Sequence, residues 1–524
     1  MGFKDKLNKF IPELYIFGKV KDKDKARQII KGYKAIKNKN LFDEKFYQDK
    51  YPKTTSMDSL LHYIFFGFKE GKKPNKEFDG AFYVNKYGVD INPLIHYALI
   101  GEDKGYSYKV DEKDLSYFKD NSKKSILFVL HEKINNIGGT GFTALDIIKS
   151  LDNNYKKFIL TSDGEDIELW EYNDKLSKLA NWDVSYSNIH ALIDLDKSSK
   201  IDSKNFEKDL FNSKLASIYE EILLKLHIDI LHINHLINHS FDIFNLANKF
   251  NIKYLVSIHD FYYCCPSIHL LDKNLNFCNL ECCNNCAIDI DDEKNLSKII
   301  KIWQKHCLKG LKGAYLNIFP SKSTVNIYKE FYPKLNNYKI IEHGRNLKIS
   351  NSYPEFPNNK IKILFPGFIS QHKGSLLIKE IKNLDKDNKL EFYFIGTTIP
   401  DISKCGTNYG RYEREEFGKI VSEIKPNLIG IMSVCPETYS HTLTESISTG
   451  IPIIATDLGA QKERVEKQDI GWIVNHKSPD DVYKTIINIS EEEYLKKLEN
   501  FSRFKLKTFD EMINEYNKIY EEIK

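Results

Sequence analysis

No apolar run in this 524-residue chain approaches the ~18–20 residues needed to span a bilayer. The opening residues, MGFKDKLNKF, lack the apolar core of a secretion signal, and Lys6 stands where a myristoylation signal wants Ser or Thr. These absences predict a cytoplasmic chain with reduced thiols. No strong charge imbalance exists either: the net charge is +4. The surplus is local, because residues 1–40 hold twelve Lys/Arg against four Asp/Glu, or +8, and the remainder sums to −4. Such a basic segment suits the anionic inner face of a cell membrane, or a solvated, partly helical tail. With the surplus confined to one end and no recognition motif beside it, nucleic acid is excluded as a partner.

What is present is an ordinary globular composition, 41% apolar and 29% charged, in a chain too long for one core. An internal repeat comes first. LFDEKFYQDKY (Leu41–Tyr51) returns as EFDGAFYVNKY (Glu77–Tyr87), and LLHYIFFGFKEGKKP (Leu60–Pro74) returns as LIHYALIGEDKG (Leu94–Gly105). Each copy reads as short helix, loop, then a helix carrying His-Tyr and ending in glycine. Aromatics at helical spacing predict a small core. His62 and His96 lack a nearby acidic or Cys partner, which argues against metal.

Beyond a polar linker at Asp111–Lys124, near-continuous apolar strands alternate with helical segments. The first series contains Ile126–Leu130, Ile228–Asn234, Lys253–Phe261, Leu316–Ser321 and Lys339–Gly344. The second contains Ile361–Gly367, Leu390–Gly396, Asn427–Ser433 and Ile451–Asp457. This pattern predicts parallel sheets covered on both faces, hence two doubly wound α/β domains. The expected organisation is a basic segment at 1–40, a helical repeat module at 41–115, α/β domains at 123–345 and 346–500, and a terminal helix at 501–524 able to cross back to the first. Ligand should sit between the α/β domains, at the carboxyl ends of their strands.

The stretch PETYSHTLTESISTGIPIIATD (Pro436–Asp457) carries the chemistry. A strand leads through a turn to a predicted helix at Thr442–Thr449, closed by Gly450. Amides around Ser440, His441 and Thr442 form a helix start that attracts phosphate. Glu437 and Glu445 would repel phosphate, so they are read as binding neutral hydroxyls on either side. An anion flanked by polyols describes a sugar nucleotide.

The glutamate pair, followed by GIPIIATDLGAQKERV, resembles the signature of retaining glycosyltransferases of family 4, which have the GT-B fold of two Rossmann-like domains. The wording CPETYSHTLTESISTGIP is similar to that of transferases building surface polysaccharide of O-antigen or rhamnan type, and the amino-terminal repeats look like modules attached to such enzymes. The resemblance covers most of Lys124 to about residue 500. It implies a nucleotide-diphosphate sugar donor, a glycan or lipid-linked glycan acceptor, and metal-independent transfer. It also implies that Glu445 holds the donor ribose and Glu437 the sugar hydroxyls. Lys373, before Gly374, would face the diphosphate, as would the Gly138-Gly139 amides. His259, of the pair His259-Asp260, would lie beside the anomeric carbon. Gly459 and Glu463 match a GG-x-x-E pattern, with Ala460 at its second glycine. The chain departs from the family at Phe368, where an arginine is usual; Arg345 and Arg411 are candidate substitutes. The alternatives are a degenerate transferase acting as a glycan-binding scaffold and a sugar-nucleotide epimerase on the same fold.

Six of nine cysteines cluster after His259, at positions 264, 265, 278, 282, 283 and 286. Cys265, Cys278, Cys283 and Cys286 could hold a structural zinc, and free buried thiols or disulfides are the other readings.

Overall fold

The computed structural model describes residues 12–20, 22–52, 57–108, 122–134, 138–184, 201–281, 286–288, 290–350, 354–413 and 416–523. The first eleven residues of the basic segment, most of the 111–124 linker, Cys282 and Cys283 lie outside these. Among the described residues fourteen strands form an eight-stranded and a six-stranded sheet. By compactness the chain divides into one unit of residues 1–186, 217–231 and 236–239, and another of 187–216, 232–235 and 240–524.

The first unit begins with helices Pro12–Lys19 and Lys23–Asn38. Much of the basic segment is therefore packed helix rather than solvated tail. Asp22 caps the second helix by accepting from Asp24 and Lys25 N–H, and Ala26, Gly32, Tyr33 and Ile36 turn into the core of the repeats. Lysines occupy the other face.

Each repeat is built on one hydrogen bond. In the first copy Asp43 caps helix Glu44–Lys50 through the Phe46 N–H at 2.9 Å. Tyr47 extends from that helix and its hydroxyl meets His62 Nδ1 at 2.9 Å. In the second copy Tyr83 meets His96 Nδ1 at 2.8 Å. After each His-Tyr the helix widens into an i→i+5 turn, Tyr63–Gly67 or Tyr97–Gly101, in which Phe68 N–H reaches Tyr63 O and Glu102 N–H reaches Tyr97 O. A Cβ at Gly67 or Gly101 would land on the Tyr47 or Tyr83 hydroxyl, so glycine is the residue that leaves room for the bond. The FY, HY and G positions are thus one packing unit, and the sequence expectation of a small aromatic core holds.

This unit also carries β1 (Lys124–Leu130), β2 (Tyr155–Ser162), β3 (Asp166–Asn173) and β4 (Lys175–Asp183), ordered β4-β3-β2-β1. β1 and β2 are parallel, with Lys124 opposite Tyr155 and Leu130 opposite Thr161. β3 and β4 are antiparallel additions, so the sheet is not purely parallel as the strand pattern predicts. Their alternation of polar and apolar residues, DIELWEYN and KLSKLANWD, suits a meander rather than a doubly covered parallel strand. β5 (Ile230–Ile233) is divided between the units.

The second unit holds β6 (Lys253–Ser257), β7 (Leu316–Phe319) and β8 (Tyr338–Ile340), paired in parallel. It also holds the second sheet, β9 (Ile361–Ile369), β10 (Leu390–Thr398), β11 (Thr407–Asn408), β12 (Leu428–Ile431), β13 (Ile453–Thr456) and β14 (Gly471–Val474). These six run parallel in the order β11-β10-β9-β12-β13-β14. Apolar clusters cover both faces: Ile363, Phe365, Phe392 and Ile454 face one, while Leu364, Ile395, Ile429 and Ile453 face the other. Alternation of neighbours between two cores is what a doubly wound sheet requires. The fold is α/β, with two parallel-rich sheets and an amino-terminal helical module.

Helix Phe509–Glu522, capped by a reciprocal Thr508–Glu511 box, packs on residues of the first sheet. Tyr520 hydrogen-bonds His232 Nδ1, and His232 Nε2 meets Ser257 Oγ at 2.8 Å. Burial holds the His232 imidazole neutral, its pKa down to about 3.

Candidate active site

The site in the second unit is assembled where strands of the second sheet end. β12 ends before Ser433, and the turn after it carries Glu437. Two glycines set the backbone. Gly374 (φ 84°) and Gly459 (φ 56°) adopt left-handed conformations in which any Cβ would strike Met432 O and the Glu437 backbone, respectively. Ala460 N–H donates to Glu437 O at 2.8 Å, and Glu437 N–H donates to Gln461 Oε1 at 3.2 Å. The pattern's second glycine is therefore dispensable here, because Ala460 is used through its N–H.

Lys373, on the turn after β9, places Nζ 2.9 Å from Glu437 Oε1. Ser433 Oγ donates to the same carboxylate. Burial pushes the Glu437 carboxyl up, but the Lys373 ammonium and the Ser433 and Ser440 hydroxyls overcome it and hold its pKa at about 2. Burial lowers the Lys373 pKa and Glu437 more than restores it, so the net direction is upward. The pair is ionised across the whole neutral range.

Helix His441–Ser448 begins beside this pair. Ser440, a non-glycine residue at φ 69°, caps it by accepting the Leu443 N–H at 3.3 Å. That unfavourable backbone is held by Arg464, which sequence reasoning missed. Its Nη1 donates to Tyr439 O and Ser440 O at 3.0 Å each, its Nη2 donates to Thr444 Oγ1 at 2.9 Å, and its guanidinium lies 4.1 Å from the Tyr439 ring centre. The available signal was a lone arginine in KERV, directly after Glu463. Glu463 itself turns away from the site and accepts the Lys322 and Ser323 N–H groups at 3.3 and 2.6 Å, capping helix Lys322–Phe331.

Two hollows meet here. A narrow cleft is lined by Lys373, Glu437, Ser440, Thr442, Gly367 and Phe368. Next to it, sharing Gly367, Phe368 and Thr442, is a cavity of about 470 Å³ that also includes Arg411, Tyr412, His441 and Glu445. Tyr412 donates to Glu445 Oε2 at 3.1 Å. The two glutamates thus flank the helix start. Phe368 is 57% exposed at the mouth of both hollows. Of the two candidate arginines, Arg411 lines the larger cavity, whereas Arg345 is tied through its N–H to Lys507 O and lines neither.

His259 lies beyond β6, and its backbone carbonyl accepts from Thr438 Oγ1 at 2.6 Å. Its ring stacks on His343 (6.0 Å, 5°), which stacks on His441 (5.0 Å, 25°). Burial lowers the His259 pKa to about 4 and holds that of His343 well below the ordinary value, so both imidazoles are neutral. His259 Nε2 is buried without a hydrogen-bond partner. Asp260 instead accepts from the His235 ring (2.8 Å) and from Tyr262 N–H (2.8 Å), anchoring the loop that presents His259. A second histidine pair, His269 on His372 (4.4 Å, 11°), adjoins Lys373. His343 and His269 carried no signal in the sequence beyond their type.

Gly138 and Gly139 lie in the first unit, at the start of helix Gly139–Ser150, where Gly138 N–H donates to Glu132. Of the proposed zinc ligands, Cys283 lies outside the described residues. Cys265 and Cys286 hydrogen-bond to each other, which raises the Cys265 pKa and lowers that of Cys286. Among the described residues no three metal-ligating side chains converge, and no helix is long and apolar enough to cross a membrane.

Residues 350–507 match the family of glycosyl transferases group 1. A protein of Methanocaldococcus jannaschii named an uncharacterized glycosyltransferase is 27% identical over 230 residues, 41% of this chain and 57% of its own length. The chain therefore spans little more than half of that curated relative. Among solved structures, sucrose-phosphate synthase from Thermosynechococcus elongatus is similar at 14% identity and TM-score 0.49, covering 76% of this chain and 99% of that one. A glycosyltransferase from Rickettsia africae (17%, TM-score 0.47, 76% and 98%) and Anabaena HepE in complex with UDP (11%, TM-score 0.46, 76% and 99%) are further examples.

Proposed function

We propose that this chain, which carries a group 1 glycosyl transferase domain, moves a sugar from a nucleotide diphosphate onto a glycan or lipid-linked glycan, with retention and without a metal ion. The observation that carries this reading is the Lys373–Glu437 pair, set against a helix start with Glu445 on its far side. The larger cavity would take the nucleoside, with Glu445 accepting from the ribose hydroxyls. The diphosphate would lie over the first-turn amides of the 441–448 helix, facing Lys373 and Arg411. Glu437, ionised, would accept from hydroxyls of the transferred sugar.

In the reaction the bond from the anomeric carbon to the phosphate oxygen breaks, and its electron pair stays on phosphate. The acceptor oxygen attacks the same face and its proton passes to the leaving phosphate oxygen, so no protein base is required. Lys373 and the helix amides oppose the developing negative charge, which is electrostatic preorganisation. Neutral His259, with Nε2 unpartnered, would contact the sugar without adding positive charge beside the developing oxocarbenium. Glycan assembly at the cell surface is the setting proposed for this activity, and the membrane face is the proposed location of a lipid-linked acceptor.

The test is incubation of the whole chain with a panel of nucleotide-diphosphate sugars in the presence of EDTA, following nucleotide release. Release that survives chelation, with the donor's anomeric configuration conserved in the product, supports the reading. No release from any donor, or release only on adding a divalent cation, overturns it.

A further inference from the structure

The repeat module meets the first α/β sheet through ion pairs, the Lys178 and Lys73 pairs largely buried and the Lys50 pair more exposed. Lys178 of β4, its side chain 1% exposed, pairs with Asp79 of the second repeat and with Glu168 of β3 at 2.8 Å. Lys73 of the first repeat pairs with Asp166 at 2.9 Å, and Lys50 with Glu165 at 2.6 Å. Asp79 is the repeat counterpart of the helix-capping Asp43, recruited in the second copy for docking. Removing one member of such a network strands its partner's charge, so the geometry is held firmly.

Beside this network is a cavity of about 410 Å³, within the ~300–1,000 Å³ of small-molecule sites. One wall belongs to the first repeat, with Tyr51, Phe68, Glu70 and Lys72. The other belongs to the sheet, with His131 and Glu132 directly after β1 and Asp163 directly after β2. Since β1 and β2 are parallel, both contribute their carboxyl ends, where open α/β sheets bind ligands.

The lining selects a chemical class. It holds six carboxylates and four lysines, net −2. All four lysines are already ion-paired: Lys72 with Glu70, Lys73 with Asp166, Lys133 with Asp163, and Lys178 as above. With every lining lysine committed, a phosphate or carboxylate ligand would meet net repulsion. The six carboxylates are engaged too, five with lysines and Glu132 with the Gly138 N–H. A carboxylate has about four acceptor sites, however, and such acceptors beside the apolar surfaces of Tyr51 and Phe68 fit a neutral polyol with one less polar face.

We propose that this cavity is a binding site for a neutral saccharide segment of the acceptor, and that the repeat module exists to form its outer wall. This rests on the reading of the chain as a glycosyltransferase.

The experiment applies the full-length chain to an array of neutral oligosaccharides (gluco-, galacto-, manno- and rhamno-series) alongside uronate- and phosphate-bearing glycans. In parallel, a thermal-shift measurement with UDP and other nucleoside diphosphates reports on the nucleotide site alone. Retention of neutral glycans is expected, falling tenfold or more in the surface double variant E70A/K72A and in F68L, which keeps apolar volume but removes the ring. Retention of none, a preference for anionic glycans, or equal retention by folded variants overturns the proposal. Loss of the nucleotide shift with glycan retention intact would instead count against the transferase reading.

Discussion

The Lys373 ammonium lies 2.9 Å from the Glu437 carboxylate, and the two side chains are 35% and 12% exposed. Each charge is the other's principal compensation for leaving water. The asymmetry of burial means that removing the cation harms more than removing the anion. K373A should lower the melting temperature more than E437Q does, with a cost approaching the ~3–5 kcal/mol of a broken buried pair. Both should reduce nucleotide release by ~10²–10³-fold, the usual loss for a donor opposing charge in the transition state. Equal melting temperatures, or release within twofold of wild type, would contradict this.

Stability should decline on acidification from about pH 6.5, well before ordinary carboxylates titrate. His259 (about 4), His232 (about 3) and His372 (about 3) have folded pKa values depressed below the ordinary 6.5, each mainly by burial. The unfolded chain therefore binds more protons as pH falls through 6.5, costing up to ~1.4 kcal/mol per histidine per pH unit. Glu437, depressed from 4.5 to about 2, adds to the loss below pH 4.5. Thermal melts between pH 8 and 4 check the slope; a flat curve from 7 to 5 contradicts it.

Gly101 leaves space for the Tyr83 hydroxyl, so a methyl group there should cost the ~1–3 kcal/mol of an overpacked core. Deleting the hydroxyl removes the clash. The double variant G101A/Y83F should melt higher than G101A alone, by urea or heat. If it melts lower, the glycine has some other cause.

Arg464 supports the left-handed Ser440 through three hydrogen bonds. R464K keeps the charge and loses the fork, so it should raise the donor KM by roughly tenfold or more, since each charge-assisted bond is worth ~1.5–3 kcal/mol. A purely structural role would lower melting temperature and leave KM unchanged.

Phe368 occupies the mouth of both hollows without charge. F368R should tighten binding of nucleoside diphosphates about tenfold or more in a calorimetric titration, and leave nucleoside binding unchanged. Equal gains for both ligands would mean that the arginine contacts the base rather than phosphate.

Four strands of the second sheet, β9, β10, β12 and β13, were legible because they are apolar on both faces, and IKILFPG, NLIGIMS and IPIIATD emerge within two residues of their predicted limits. The helix predicted at Thr442–Thr449 and found at His441–Ser448 was legible from the turn before it and the closing Gly450. Strands β2, β3, β4, β11 and β14 were not predicted; the alternating pattern of β3 and β4 competes with exposed helix. Arg464 and His343 escaped because their roles depend on neighbours far along the chain, the Ser440 carbonyl and the His259 ring, which no local spacing encodes. The repeat's conserved letters were visible, but their meaning needed the Tyr–His bond and the glycine beneath it.

His232 and Tyr520, joined by a hydrogen bond, are 288 positions apart. A ribosome must therefore deliver more than half of the polypeptide between synthesis of that imidazole and of its partner. Until then the floor beneath β6 stays open, whatever its own strands have achieved, and nascent chains stalled short of residue 520 should be the ones that chaperones hold and proteases clip. Closing so distant a contact is slow, which makes completion of the first sheet, rather than the locally wound second one, the expected bottleneck in acquiring the native state.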